Sequence, residues 1–299
     1  MPDIKVGLIG GSGLGAALGE QTSGTRHEVD TPFGKPSDAI VETEWAGLPV
    51  FFLSRHGPGH LLNPSQVPYR ANIFALKQLG CTHIIASGAV GSLREEYKPR
   101  DLVIADQVID KTFRRPATFY DQAAVHVEFA EPFCPVLRQI LREAGDGVAH
   151  GVHARGCYVA MEGPAFSTRA ESLMHRLWGG DLIGMTAMPE AKLAREAEIS
   201  YALLALVTDY DCWRHAPDAN PAQSDASLLL KEIIGNLQAA SDNAIALLRR
   251  AVQLMSTRPD ELAASPARHA LQLAIWSDKA KIAPAEVQRL GPLWMKYFK

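Results

Sequence analysis

Apolar positions along this chain fall into short continuous runs that alternate with stretches of helical period. Residues 6–9, 83–86, 102–109, 157–161, 182–186 and 201–208 are largely uninterrupted apolar or β-branched runs, the pattern of strands buried on both faces. Residues 39–54 read as a hairpin that turns at Ala46-Gly47. Helical spacing predicts a helix over 66–79 with Ser65 as N-cap, and another over 135–144. A third starts at the capping-box pair Thr168 and Glu171 and ends near Gly179-Gly180; two more cover 190–197 and the long amphipathic stretch 225–254. Strands separated by helices predict an α/β fold, a single domain with a central mixed, mainly parallel twisted sheet flanked by helices. After Ser256, Arg258-Pro259-Asp260 resets the chain. Short helices are expected at 266–276, N-capped by Ser265, and at 285–290, before an apolar end carrying Trp294, Tyr297 and Phe298. The expected organisation is a domain over 1–255 and a helical C-terminal extension over 256–299, to which the pattern assigns no role.

Composition narrows the class without naming a function. The 299 residues are 47% hydrophobic and 21% charged, with a formal net charge of −3, so no global positive field points to nucleic acid or an anionic membrane. No apolar run approaches the roughly 18 residues a membrane helix needs, and residues 1–6 lack a secretory pattern. Cys81, Cys134, Cys157 and Cys212 are dispersed without CxxC spacing, which argues against a metal site or a disulfide framework and for reduced thiols in the cytoplasm.

Candidate chemistry collects where strands end. The first strand runs into Gly10-Gly11-Ser12-Gly13-Leu14-Gly15, whose amides can cradle an anion with the Ser12 hydroxyl at the centre, or simply form a tight turn. No Gly-Lys-Ser/Thr follows, and the third glycine of a dinucleotide fingerprint counted from Gly11 is Ala16, so a dinucleotide-binding oxidoreductase remains only a remote alternative. Arg55-His56-Gly57 follows the apolar run 50–53; Arg55 suits bidentate binding of phosphate with His56 as a second donor, against a surface charge at a strand exit. Gly88 and Ala89, within Ser87-Gly88-Ala89-Val90-Gly91-Ser92, let main-chain amides approach a ligand, and Thr186 adds a hydroxyl after another strand. Four strand ends thus offer groups suited to one tetrahedral anion.

Asp209-Tyr210-Asp211 is the most informative spacing. Residues i and i+2 of an extended chain face one side, and two adjacent carboxylates resist joint ionisation, so one pKa is expected to rise. A protonated carboxyl donates to N7 of adenine while an ionised one accepts from the 6-amino group; a metal pair or a helix-start cluster competes with this reading. Phe166 and Ser167, in the loop Met161-Glu162-Gly163-Pro164-Ala165-Phe166-Ser167, stand where a ring can stack on a base or pin the loop, and Glu162 suits a buried carboxylate holding loop amides.

Taken together, the blocks Gly10-Gly11-Ser12-Gly13-Leu14, residues 30–38, Arg55-His56-Gly57, residues 91–96, residues 130–135, Glu162-Gly163-Pro164 and Asp209-Tyr210-Asp211-Cys212-Trp213 resemble the methylthioadenosine phosphorylase branch of the trimeric purine nucleoside phosphorylases. The resemblance runs from about 7 to 254. It implies the nucleoside phosphorylase fold over 1–255, phosphate held by Ser12, Arg55, His56, Gly88, Ala89 and Thr186, and Met185 against the ribose hydroxyls. It also implies Phe166 and Ser167 near the base and Asp209 and Asp211 on the purine edge as the catalytic pair. His126, reaching from a neighbouring subunit, and His60 are implied near the 5′ substituent, hence a homotrimer, or a hexamer of paired trimers, with active sites at subunit interfaces. Inorganic phosphate is the implied co-substrate, with no metal and no organic cofactor. Three positions depart from the pattern: Gly88 stands for a threonine, Gly184 for an asparagine and Ala165 for a basic residue. The implied reaction is phosphorolysis of 5′-methylthioadenosine in purine and methionine salvage; the alternatives are a methylthioinosine or broader purine nucleoside phosphorylase, including one acting on 5′-deoxyadenosine, and a non-catalytic nucleoside-binding module.

Overall fold

The apolar runs assemble into one mixed sheet of 11 strands in the computed structural model, which describes residues 4–14, 18, 23–148, 150–214 and 226–298, with backbone alone at 226–230. In chain order the strands are β1 (Val6–Gly10), β2 (Thr25–His27), β3 (Ile40–Trp45), β4 (Leu48–Ser54), β5 (His83–Ser92), β6 (Leu102–Ile104), β7 (Gln107–Asp110), β8 (Val152–His153), β9 (Cys157–Ala160), β10 (Leu182–Gly184) and β11 (Ser200–Tyr210). The helices that bear on the site are α1 (Tyr69–Gln78), α2 (Pro135–Ala144), α3 (Arg169–Leu177), α4 (Ala187–Glu196) and α5 (Ala226–Ser256). Short helical turns follow, among them Pro259–Ala263, Pro284–Arg289 and Gly291–Trp294.

The order β2-β3-β4-β1-β5 forms one half of the sheet, and at β5 it forks, one branch running β11-β6-β8 and the other β10-β9-β7. β1 lies parallel to both β4 and β5, and β11 lies parallel to β5 along its length. The hairpin β3–β4 and the pair β5–β10 are antiparallel, so the sheet is mixed with parallel strands at its centre.

Alternation along each central strand divides the core between two faces. Tyr201, Leu203, Ala205 and Val207 of β11 join Phe51, Leu53, Ile84 and Ala86 under α1 and α4. Ala202, Leu204 and Leu206 join Val6, Leu8, Val50, Phe52 and Ile85 under α2 and α5. Both faces are covered, which is why these strands read as continuous apolar runs.

Several local expectations are corrected. α1 starts at Tyr69, three residues later than its periodicity predicts, because Pro68 precedes it and provides no side-chain cap. Ser65 is therefore not its N-cap; the Ser65 hydroxyl donates instead to Glu162 Oε1 at 2.5 Å. The run 102–109 breaks at Ala105-Asp106 into β6 and β7, which pair with different strands. β10 stops at Gly184, and its helix begins three residues earlier than expected, at Ala187. The expected helix over 266–276 is a single turn at Pro266–His269; Ile275 then forms a β-bridge to Val125. Ser265 makes no cap, its hydroxyl bonding Ser200 Oγ at 2.7 Å. By contrast, Pro135–Ala144 is helical as expected, and Thr168 and Glu171 form the full capping box. Asp225, the expected start of the long helix, lies outside the described residues.

The last forty residues pack into the main core. Leu271, Ala274, Ile282, Leu290, Leu293 and Trp294 join the cluster under α1 and α4, and Trp294 is fully buried with its ring 4.8 Å from that of Tyr120. Among the described residues, no helix is long and apolar enough to cross a membrane.

Candidate active site

Strand β5 organises the site because it carries two glycines where other groups crowd in. At its middle, a Cβ on Gly88 would lie 3.3 Å from Thr186 Oγ1. On the neighbouring turn, a Cβ on Gly11 would lie 2.7 Å from Arg55 Nη1, 2.8 Å from the Ser87 carbonyl and 3.3 Å from Gly88 Cα. The glycines are thus needed for close approach, and they bring the ends of β1, β4 and β5 together with the start of α4. Ser12 and Ala89 are half-buried here, and Thr186 stands at the N-terminal end of α4 with its own amide donating to Tyr158 Oη at 3.2 Å. The far end of the glycine cluster, Gly15, lies outside the described residues.

Arg55 is fully buried, and three of its five N–H groups are engaged within the protein. Nε and Nη2 each donate to the Glu190 carboxylate at 2.8 Å, and Nη1 donates to the Ser87 carbonyl at 2.7 Å. A guanidinium has five N–H groups, so this arrangement leaves one on Nη1 and one on Nη2 for an anion and gives the Nε–Nη2 side to Glu190. The expected role of His56 changes. Its Nδ1 is 2.7 Å from the Leu62 carbonyl, which can only accept, so Nδ1 carries the proton. Burial, then the Arg55 charge, lowers the ring pKa to about 4. The resting ring is therefore neutral with an accepting Nε2, and it donates there only after taking up a proton. His60, exposed and with φ 57°, stacks on His56 with centroids 4.2 Å apart. A cavity of about 380 Å³ opens beside these rings, lined by Gly11, Gly13, Arg26, Asp38, His56 and His60 among others.

The aspartates meet β5 three residues further on. A Cβ on Gly91 would lie 3.3 Å from Asp211 Cβ and 3.6 Å from Asp209 Oδ2, so both side chains flank one glycine. A register shift between Val207 and Asp209 sets them there, and the Asp211 amide donates to the Ser92 carbonyl at 3.0 Å. Asp209 Oδ1 accepts from the Thr208 hydroxyl at 2.6 Å, while Asp211 Oδ2 is buried without a hydrogen-bond partner among the described residues. Burial raises the Asp209 pKa, and the charges of Asp211 and Glu232 raise it further. Gly88 and Gly91 are about 10 Å apart at roughly 3.3 Å per strand residue, so the two sets of groups lie along one strand.

The other expected residues lie differently. Met185 packs beside Gly163, whose φ is +70° and whose added Cβ would sit 2.5 Å from Met185 Sδ. Ser167 is half-buried, and its carbonyl accepts from Cys212 Sγ, next to Asp211, at 3.4 Å. Phe166 is 85% exposed, so it does not pin the loop as a core residue. His126 is exposed, and its ring lies 4.6 Å from that of Trp276 in the C-terminal segment. Of the departures from the family pattern, Gly184 has a clear physical reason: its Cβ would lie 2.1 Å from Tyr158 Oη, the atom that accepts the Thr186 amide. Tyr158 fills the space that a side chain at 184 would take. Ala165 is exposed, and nothing in the structure explains it.

Sequence reasoning missed Glu190, the fully buried partner of Arg55, which also accepts from Tyr201 Oη at 2.8 Å. The one available signal was a carboxylate inside the otherwise apolar stretch 187–191. It missed Arg115 as well. Glu162 does hold loop amides, those of Phe113 and Arg114.

The groups gathered at Gly88 and the aspartate pair at Gly91, ranged along β5 of this mixed sheet, suit a nucleoside-cleaving phosphorylase, and the model of the Phosphorylase superfamily matches residues 5–253. The S-methyl-5′-thioadenosine phosphorylase of Synechocystis sp. is 48% identical over 302 residues, covering 100% of this chain and 89% of the relative. That of Chloroflexus aurantiacus is 47% identical over 300 residues, covering 100% of both. Among solved structures, a methylthioadenosine phosphorylase sourced from an antarctic soil metagenomic library aligns with a TM-score of 0.86 at 45% identity, over 98% of this chain and 99% of that one. The Schistosoma mansoni enzyme, solved in complex with adenine, aligns with a TM-score of 0.82 at 37% identity, over 91% and 99%. The chain belongs to the S-methyl-5′-thioadenosine phosphorylase family.

Proposed function

We propose that this chain catalyses the reversible phosphorolysis of 5′-methylthioadenosine to adenine and 5-methylthioribose 1-phosphate. The observation that carries the reading is the pair of group sets on β5, an anion cradle at Gly88 and two carboxylates at Gly91. Phosphate sits among Ser12, Arg55, His56, Gly88, Ala89 and Thr186, under C1′ of the sugar. As the C1′–N9 bond breaks, its electron pair passes to the purine, and the protonated Asp209 carboxyl gives N7 a hydrogen bond or its proton. Asp211 accepts from the 6-amino group. A phosphate oxygen then bonds to C1′, and its negative charge stabilises the oxocarbenium-like centre beforehand. Met185 lies along the ribose, Ser167 beside the base, and His60 on the 5′ side. Phosphate is consumed as co-substrate, and the residues supply position and electrostatics without a metal or organic cofactor.

The same reading makes the enzyme a cytoplasmic homotrimer, or a hexamer of paired trimers. Phe166 and Leu61 are exposed, as is His126 beside Trp276, and on this reading they meet neighbouring subunits around the 5′ pocket. Light scattering on the eluting protein gives the mass that checks this. The reaction is tested with methylthioadenosine, 5′-deoxyadenosine, adenosine, inosine and methylthioinosine, each with and without phosphate. Adenine release from methylthioadenosine should require phosphate, and the 6-oxopurine nucleosides should fall behind by a factor on the order of 10² or more in kcat/KM. Release without phosphate, or preference for inosine, would overturn the reading.

A further inference from the structure

The segment 185–188 carries Met185 and Thr186, and its backbone cannot hold itself. Met185 stands just before Thr186, the N-cap of α4, so its carbonyl has no partner in the ladder of that helix. Met188 has φ −116° and ψ 137°, outside the helical region, which turns its carbonyl away from the ladder of α4. Both carbonyls are met by one side chain from the loop after β7. Arg115 Nη1 is 2.5 Å from the Met185 carbonyl and 2.7 Å from the Met188 carbonyl. It also lies 3.2 Å from Tyr69 Oη, which ties the segment to the start of α1.

The guanidinium is itself fixed. Nη2 donates to the Glu162 carbonyl at 2.5 Å and Nε to Glu162 Oε1 at 3.2 Å, and the Arg115 side chain is only 1% exposed. Burial opposes the Glu162 charge, but the Ser65 hydroxyl, the Phe113 and Arg114 amides and the Arg115 charge outweigh it, holding the pKa at about 2. The chain 65–162–115–185 is thus a continuous set of hydrogen bonds running from the α1 loop to the segment that carries Thr186.

We infer that Arg115 is a positioning residue for the phosphate and ribose subsites, holding the backbone of Met185 and Thr186 through the carbonyls of Met185 and Met188. The inference rests on the phosphorylase reading, with Thr186 at phosphate and Met185 at ribose. Arg115 acts through these two residues and not by touching substrate. Lysine keeps the charge but cannot span the Met185 and Met188 carbonyls and Glu162 together.

The test uses full-length Arg115→Lys and Glu162→Gln, with initial rates at varied phosphate and methylthioadenosine and with Tm measured with and without phosphate. Arg115→Lys should raise KM for phosphate about tenfold or more, since misplacement near 1 Å is costly in such sites. It should raise KM for the nucleoside as well, and shrink the rise in Tm that phosphate gives the native enzyme. A folded Arg115→Lys with lowered Tm but native KM values and a native phosphate-induced rise would make Arg115 merely structural and overturn the inference. Should that variant not fold, Glu162→Gln decides on the same readouts: a raised KM for phosphate supports the inference and an unchanged one overturns it. A native enzyme that neither cleaves with phosphate nor gains Tm from it would instead overturn the phosphorylase reading.

Discussion

In the proposed mechanism two side chains work through protons, and each has a consequence that can be measured. Asp209 is half-buried beside Asp211, and its pKa is raised, so its protonated form persists to higher pH than that of an exposed aspartate. A step that needs this proton is lost as pH rises through the raised pKa. The kcat/KM profile should therefore show an alkaline limb that Asp209→Asn removes, together with a fall in kcat of roughly 10²–10⁴-fold. A variant with near-native kcat would show that Asp209 does not serve N7. His56 works in the opposite sense. Its ring is neutral above about pH 4, and with Nδ1 donating to the Leu62 carbonyl its Nε2 is an acceptor. Phosphate binding at pH 7.5 should draw a proton onto it. Calorimetry in buffers of differing ionisation enthalpy should then report proton uptake by the native enzyme and less by His56→Asn.

At the scale of elements, the pairing of Gly184 with Tyr158 shows how a family departure becomes a local solution. The hydroxyl of Tyr158, on β9, reaches past Gly184 on β10 to the Thr186 amide. Gly184→Asn should displace that ring, lower Tm and raise KM for phosphate; Gly184→Asn with Tyr158→Ala should recover part of the lost stability. If the two changes are simply additive in Tm, the ring and the glycine do not share the space. Much of this level was legible in the chain. Continuous apolar runs gave β1, β5 and β11 because both sheet faces are covered, and the Thr168–Glu171 box marked the start of α3. The i, i+2 spacing of Asp209 and Asp211 foretold a pair that the structure brings together at Gly91. What the chain hid was set by partners distant in sequence. Ser65 looked like a cap, but Glu162, 97 residues away, takes its hydroxyl. Arg55 looked wholly free for an anion, but Glu190, 135 residues on, takes its Nε and one Nη2 N–H. Local periodicity contains no term for either pairing.

For the whole molecule, the segment after α5 raises the question of where the folding unit ends. Matches to the superfamily model stop at residue 253, yet Trp294 is buried against Tyr120 in the cluster that also holds Met188 and Ala191 of α4. Glu198, at the turn between α4 and β11 with φ 53°, fastens the segment from the other side. Its carboxylate accepts from the Leu271 amide at 3.1 Å and from Tyr297 Oη at 2.5 Å, and it pairs with Lys296 Nζ at 2.6 Å. These contacts converge on the helix whose N-terminal end carries Thr186, so loss of the segment should be felt both as stability and as phosphate affinity. We therefore propose that residues 256–299 are part of the folding unit. Trp294→Ala empties a large buried volume and should cost about 3–5 kcal/mol, lowering Tm by on the order of 10 °C in a chain of this size. Deletion after residue 256 should leave a chain that is insoluble or unfolded by circular dichroism, because it strips the cover from α1 and α4. A deleted chain that stays soluble, melts cooperatively near the native Tm and retains KM for phosphate would show that the segment is an appendage; one that melts normally but loses nucleoside affinity would confine its role to the 5′ pocket of a neighbouring subunit.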